Sequence, residues 1–237
     1  MQKNQLKIEV WSDVMCPFCY IGKRKIEQAL ADFPDREQVA IEWKSYQLNP
    51  NLVTDTTIST AEFLAKHKGI STEQAEEMNQ YVSDMASKVG LEFNFKQAVV
   101  ANSFQAHAFS HFAKASGKQN EAEELLFKAY FTEGKNIDDV EVLATMAEEL
   151  GLNKEDLLKA LAENTYADAV KEDILESQQI GVRGVPFFVF DRKYAISGAQ
   201  EAQVFEDTLH KTFTEWKKKQ PSLTIIEGES CGPDGCD

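Results

Sequence analysis

LKIEVW, Leu6 to Trp11, alternates apolar and polar positions, with Leu6, Ile8 and Val10 on one face and the turn-prone pair Ser12-Asp13 behind it. A period of two predicts a strand. Ile21, Lys25, Ala29 and Phe33 then recur at helical spacing as far as Pro34, after which Val39, Ile41 and Trp43 alternate as a second strand ending near Leu48 to Pro50.

From about Ser59 to Gln179 the period becomes that of several helices with few strand-like runs. STEQ, Ser71 to Gln74, has the form of a capping box, and Ala75, Met78, Val82, Met85 and Val89 continue one apolar stripe. Val140, Leu143, Ala147 and Leu150 share a face that stops at Gly151. The Met and Phe residues of this block are expected in the core, not in a cofactor box. Alternation returns in VPFFVF, Val185 to Phe190, and KYAISG, Lys193 to Gly198. A helix from about Ala202 to Lys218 follows, with Val204, Phe205, Leu209 and Phe213 inside. The pattern predicts an α/β domain assembled from both ends of the chain, 1–55 and 180–220, interrupted by a helical block over 56–179. The last residues, 221–237, are rich in glycine and acid and are expected to form a mobile tail.

With 237 residues and 43% hydrophobic content, the chain buries an ordinary core without disulfides. A net charge of -14 excludes nucleic acid or an anionic membrane surface as the main partner, because their phosphates repel it. No stretch approaches the roughly 20 apolar residues that span a bilayer. MQKNQLKIEVW holds no uninterrupted apolar run of signal-peptide length, so a cytoplasmic location is expected.

The four cysteines lie in two close pairs, Cys16 with Cys19 and Cys231 with Cys236. Pairs this close constrain little chain entropy, which points to chemistry. WSDVMCPFCYIG, Trp11 to Gly22, sits at the first strand-to-helix junction. A C-x-x-C pair is a redox centre, half of a zinc site, or two incidental thiols. Zinc needs about four ligands in tetrahedral geometry. His107 and His111 lie four apart and would complete a Cys2His2 set, but nothing in the sequence brings them to the cysteines, and such histidines are more often surface or capping residues.

The redox reading explains more, because a thiol at a helix N-terminus faces unpaired N–H groups and the positive end of the helix dipole. Thiols so placed have pKa values of about 3.5 to 7.5 against about 8.5 when free. Cys16 is then the expected nucleophile and Cys19, nearly one turn on, the resolving thiol. Pro17 suits the first turn of the helix, and Phe18 offers no hydrogen bond to a thiolate. No cofactor or metal is required for exchange of this kind.

Element order and motifs together resemble the DsbA-like branch of the thioredoxin superfamily, in which a helical domain interrupts a thioredoxin fold, and within it the cytoplasmic FrnE-like proteins. The matching stretches are SDVMCPFCYIG, YQLNP at Tyr46 to Pro50, and IGVRGVPFFVFDRKYAISGAQ at Ile180 to Gln200. The resemblance implies that Pro186 is a cis-proline opposite the cysteines, with the Val185 backbone pairing with substrate. Without it, Pro186 reads as an ordinary trans proline opening a strand. ANSFQAH, Ala101 to His107, also resembles a segment of kappa-class glutathione transferases and chromene-carboxylate isomerases, where it lies near glutathione. By itself Asn102 or Ser103 reads as a helix N-cap. Those relatives carry serine at the position of Cys16, so this chain departs from them toward dithiol exchange.

CGPDGC, Cys231 to Cys236, carries turn-forming Gly-Pro and Asp-Gly between its thiols, and some FrnE-like proteins are similar in this respect. It reads either as an unstructured or metal-binding tail or as a relay that exchanges with Cys16 and Cys19. About 12 residues separate Lys218 from Cys231, a tether of about 40 Å when extended. The expected activity is thiol-disulfide exchange on protein disulfides or small thiols such as glutathione, with isomerisation as a variant. The rivals are a glutathione-dependent small-molecule enzyme using Asn102 and Ser103, and a redox-gated adaptor.

Overall fold

The computed structural model describes residues 5–220, 231–232 and 235–236. Four strands form the main sheet: β1 (Leu6–Ser12), β2 (Val39–Ser45), β5 (Phe187–Phe190) and β6 (Tyr194–Ser197), in the order β2-β1-β5-β6. β1 runs parallel to β2 and antiparallel to β5, with Val10 opposite Trp43 on one side and Phe188 on the other. The sheet therefore joins the two ends of the chain.

β1 is central, and this changes the meaning of its alternation. Leu6, Ile8 and Val10 are buried as expected, but so are Glu9 and Trp11 on the other face. Helix α8 (Ala167–Gln179) covers that second face, and Trp11 Nε1 donates to the Asp173 carbonyl at 2.9 Å. Glu9 is tolerated there because Arg192 pairs with it, as a buried carboxylate requires.

On the other face lie α1 (Pro17–Ala31) and α9 (Ala202–Lys218), packed together, with α9 also against β5 and β6. The helical block between the halves of the sheet contains α2 (Thr60–Lys68), α3 (Thr72–Ser87), α4 (Phe104–Ala115), α5 (Gln119–Phe131), α6 (Val140–Glu149) and α7 (Lys154–Ala162) besides α8. This is the thioredoxin fold with a helical insertion. The capping box at Ser71 and Gln74 is present, and Gly151 ends the α6 segment at φ +71°. The block also holds a small ladder of β3 (Asp55–Ser59) and β4 (Val99–Val100), too short to show a period.

Apart from a small cluster of Ala61, Ala65 and Ala75 between α2 and α3, the insertion shares its core with the sheet. One hydrophobic cluster runs from Leu6, Ile8 and Tyr20 through Phe127 and Phe131 to Leu157. Tyr20 of α1 stacks on Phe127 of α5 at 4.9 Å, and its hydroxyl donates to Glu124 at 2.7 Å. α5 and α8 both pack on β2, which seats these two helices of the insertion on the sheet. Three residues expected inside lie further out: Met78, Val140 and Val204 are about two-fifths exposed.

The expected mobile tail, 221–237, falls outside the described residues except for two short strands, β7 (Cys231–Gly232) and β8 (Gly235–Cys236). Their backbones pair antiparallel with Cys231 opposite Cys236.

Candidate active site

β1 delivers the chain to the site, and Asp13 turns it. Its carbonyl accepts the Cys16 N–H at 2.9 Å, while its carboxylate accepts the Met15 N–H at 3.2 Å and the Leu48 N–H at 2.7 Å. Asp13 thereby ties the loop before Cys16 to the YQLNP loop that follows β2. His107 of α4 lies behind it, 3.8 Å from the carboxylate, with Nε2–H donating to the Tyr46 carbonyl at 2.9 Å. Burial opposes the charged His107, but the nearby Asp13 carboxylate, with Glu123 and the Tyr46 carbonyl, outweighs it and raises its pKa.

Cys16 is the N-cap of α1 with extended backbone, φ -90° and ψ 112°, and Pro17 occupies the first turn, where its missing N–H costs no helix bond. The Cys16 side chain makes no capping hydrogen bond, and it lies at the helix N-terminus, where the dipole favours an anion. The Cys19 N–H donates to the Cys16 carbonyl at 3.0 Å. Both thiols are free; Cys16 is 5% exposed and Cys19 fully buried, so an incoming sulfur meets Cys16 first. Burial pushes the Cys19 thiol well up, and the hydrogen bond and charge of Cys16 push it further. Against these stand the Ser12 hydroxyl and the Asp13 backbone.

The third element arrives from the far end of the chain. The Cys16 thiol donates to the Val185 carbonyl at 3.5 Å, and the Val185–Pro186 peptide is cis. The Pro186 carbonyl accepts the Gly198 N–H at 2.8 Å, which anchors this corner to the end of β6. Pro17 and Phe18 are half-buried on the helix side, and Val185 is half-buried opposite. The structure brings Cys16, Cys19, Val185 and Pro186 together with Pro17 and Phe18 at their edge.

Other candidates are placed elsewhere. The histidines expected at the surface or as caps are instead buried, because β2 and its following loop offer partners. His107 serves Tyr46 and Asp13, and His111 contacts Ser45 Oγ at 3.2 Å and Asp173 at 3.0 Å. Among the described residues no group of three His, Cys, Asp or Glu side chains is placed to hold a metal. Ser103 occupies the N-cap of α4 without a capping hydrogen bond. Asn102 Oδ1 takes the Phe104 N–H at 2.8 Å and the Gln47 amide at 3.0 Å, and its Nδ2 donates to the Leu52 carbonyl at 2.7 Å. These bonds tie the Asn102 side chain to the α4 backbone, Gln47 and Leu52. Sequence reasoning missed Asp13, which read as a turn residue, and Ser12, whose buried Oγ has no hydrogen-bond partner.

Two thiols on the first turn of a helix, edged by the backbone before a proline of the neighbouring sheet, make a dithiol site on a thioredoxin fold. The chain belongs to the family of the DSBA-like thioredoxin domain, whose match spans residues 7–210, a family of thiol-disulfide oxidoreductases. It is 31% identical to Bacillus subtilis YwbO over 90% of this chain and 98% of that protein. A probable DsbA oxidoreductase from Streptomyces coelicolor superposes with a TM-score of 0.83 and 34% identity, covering 98% of this chain and 99% of that one. The cytosolic disulfide reductase DsbM from Pseudomonas aeruginosa, solved with glutathione, shares the fold with a TM-score of 0.63 and 16% identity, covering 88% and 100% of the two chains. No helix among the described residues is long and apolar enough to cross a membrane.

Proposed function

We propose that this protein exchanges disulfides through Cys16 and Cys19, with Cys16 as nucleophile and Cys19 as the resolving thiol. The observation that carries the reading is the Cys16 thiol at the N-cap of α1, 3.5 Å from the Val185 carbonyl and above a fully buried second thiol. The Cys16 thiolate attacks a substrate disulfide, a mixed disulfide forms, and Cys19 displaces the reduced product. Val185 offers backbone to an extended substrate segment, Pro186 holds that backbone in place, and Pro17 and Phe18 flank the attacked bond. Substrates are protein disulfides or small thiols such as glutathione, and the motifs around Cys16, Tyr46 and Pro186 support the FrnE-like subgroup. Turnover on insulin as a model disulfide protein should be abolished in Cys16→Ser; retained turnover refutes the assignment.

The second pair is a relay in this reading. The ladder that sets Cys231 opposite Cys236 supports a pair able to cycle between dithiol and disulfide. Mass spectrometry of oxidised Cys19→Ser protein should find Cys16 joined to Cys231 or Cys236. Its absence removes the relay and leaves the main cycle standing.

A further inference from the structure

The resolving step asks a fully buried thiol to become a thiolate, in surroundings that push the other way. In the dithiol, burial first and then the hydrogen bond and charge of Cys16 favour the protonated Cys19; in the mixed disulfide Cys16 has neither proton nor charge, and burial remains. No carboxylate stands among the main groups acting on it. What favours the anion is the Ser12 hydroxyl, near the sulfur but out of hydrogen-bond geometry in the dithiol state, and the Asp13 backbone.

Ser12 is anomalous by itself. It closes β1, is 2% exposed, and its backbone carbonyl accepts the Tyr46 N–H at 3.0 Å, yet its Oγ makes no hydrogen bond. A buried hydroxyl without a partner is costly, and among the described residues only one other buried side-chain oxygen, Glu123 Oε2, shares this state. A hydroxyl idle beside a neutral thiol becomes a strong donor beside a thiolate, because hydrogen bonds to ions are shorter and roughly twice as strong.

We propose that Ser12 is held unpaired in the dithiol state so that its Oγ–H can donate to the Cys19 sulfur when that sulfur ionises. The inference rests on the exchange reading above. In the mixed disulfide between Cys16 and a substrate sulfur, the Cys19 thiol gives up its proton and attacks Cys16 Sγ. The Cys16–Cys19 bond forms, and the bond from Cys16 to the substrate breaks. Its electron pair leaves on the substrate thiolate, which takes up a proton from solvent to replace the one Cys19 released. Ser12 keeps its proton throughout and only stabilises the sulfur anion. The titratable groups around the pair are Cys16 on α1, Asp13 on the preceding loop and, facing Asp13, His107 on α4 and Tyr130 on α5.

The test uses full-length protein and glutathione disulfide as the probe. Reduced protein is mixed with excess probe, quenched in acid at intervals, and the Cys16–glutathione adduct is followed by mass spectrometry across pH 5 to 9. Adduct formation reports attack by Cys16, and adduct decay reports resolution by Cys19. In Ser12→Ala, decay at pH 7 should slow by about ten- to a hundredfold, with its pH profile moved about one unit or more alkaline. Formation should keep its rate, and Ser12→Thr should restore part of the decay rate. Urea unfolding of Ser12→Ala should show unchanged or raised stability, since the lost hydroxyl had no partner. Decay with the wild-type rate and profile overturns the role of Ser12. So does slow decay accompanied by a loss of stability, because that marks a structural residue. Failure of wild-type protein to form any adduct overturns the exchange reading instead.

Discussion

Gly22 faces the proline corner from α1, and replacing it sets two opposite effects against each other. A Cβ at Gly22 would stand 3.0 Å from Pro186 Cγ and 3.1 Å from Phe188 Cζ. Alanine favours a helix interior by about 1 kcal/mol over glycine. Forcing a methyl group into a filled site costs about 1–3 kcal/mol. Neither neighbour gives way cheaply: Phe188 is fully buried, and the Pro186 carbonyl is tied to Gly198 at 2.8 Å. Packing wins, so Gly22→Ala should lose about 1 kcal/mol net, and Gly22→Val, with two more carbons and a stiff χ1, about 3 kcal/mol. The same clash pushes the Val185 carbonyl away from the Cys16 thiol, and misplacement by about 1 Å costs up to about a hundredfold in rate. Insulin turnover should therefore fall by about tenfold in the alanine variant. Urea unfolding at pH 7, read as a midpoint shift at constant m, measures the first effect, and turnover measures the second. A Gly22→Ala protein more stable than wild type, with wild-type turnover, would show that helix propensity governs and that Gly22 has no bearing on the corner.

Two further predictions concern the charged groups that hold the site to the helices. His107 has its folded pKa raised by Asp13, so its contribution is full below the unfolded value of about 6.5 and is lost as pH rises through the folded value. The stability difference between wild type and His107→Gln should shrink from pH 6 to pH 9 in urea unfolding; a constant difference refutes the pairing. Glu124 is pushed up by burial, but the hydrogen bonds from Arg24 and Lys23 outweigh it and hold its pKa to about 2. Its contribution is present above about pH 4.5 and lost as pH falls toward the folded value. Glu124→Gln should cost about 1–3 kcal/mol at pH 7, below the range for a fully buried pair because the side chain is 31% exposed, and should flatten the acid limb of the stability profile.

The order of elements was legible because period and punctuation agree along most of the chain: Leu6 to Val10 alternates, Ser71 caps, Gly151 stops. Cys16 and Pro17 could be set at a helix start for the same local reason. Tertiary facts were not legible. Glu9 looks like the wet side of a half-exposed strand until Arg192, 183 residues later, supplies its partner. His107 and His111 share a helical face, but only the position of β2 and its loop decides that the face is buried. A lone serine before an aspartate reads as a turn, so Ser12 gave no signal. Its interest lies in lacking a partner, which no sequence pattern records.

The sheet pairing of Trp11 with Phe187 has a consequence for the order of synthesis. Cys16 leaves the ribosome 169 residues before Val185, and the intervening helices must already have been made when β5 arrives beside β1. A nascent chain therefore carries two exposed thiols without the backbone edge that would align a substrate against them. The edge is complete only once β5 docks, so under the proposed exchange a chain that ends before Val185 should lack directed activity.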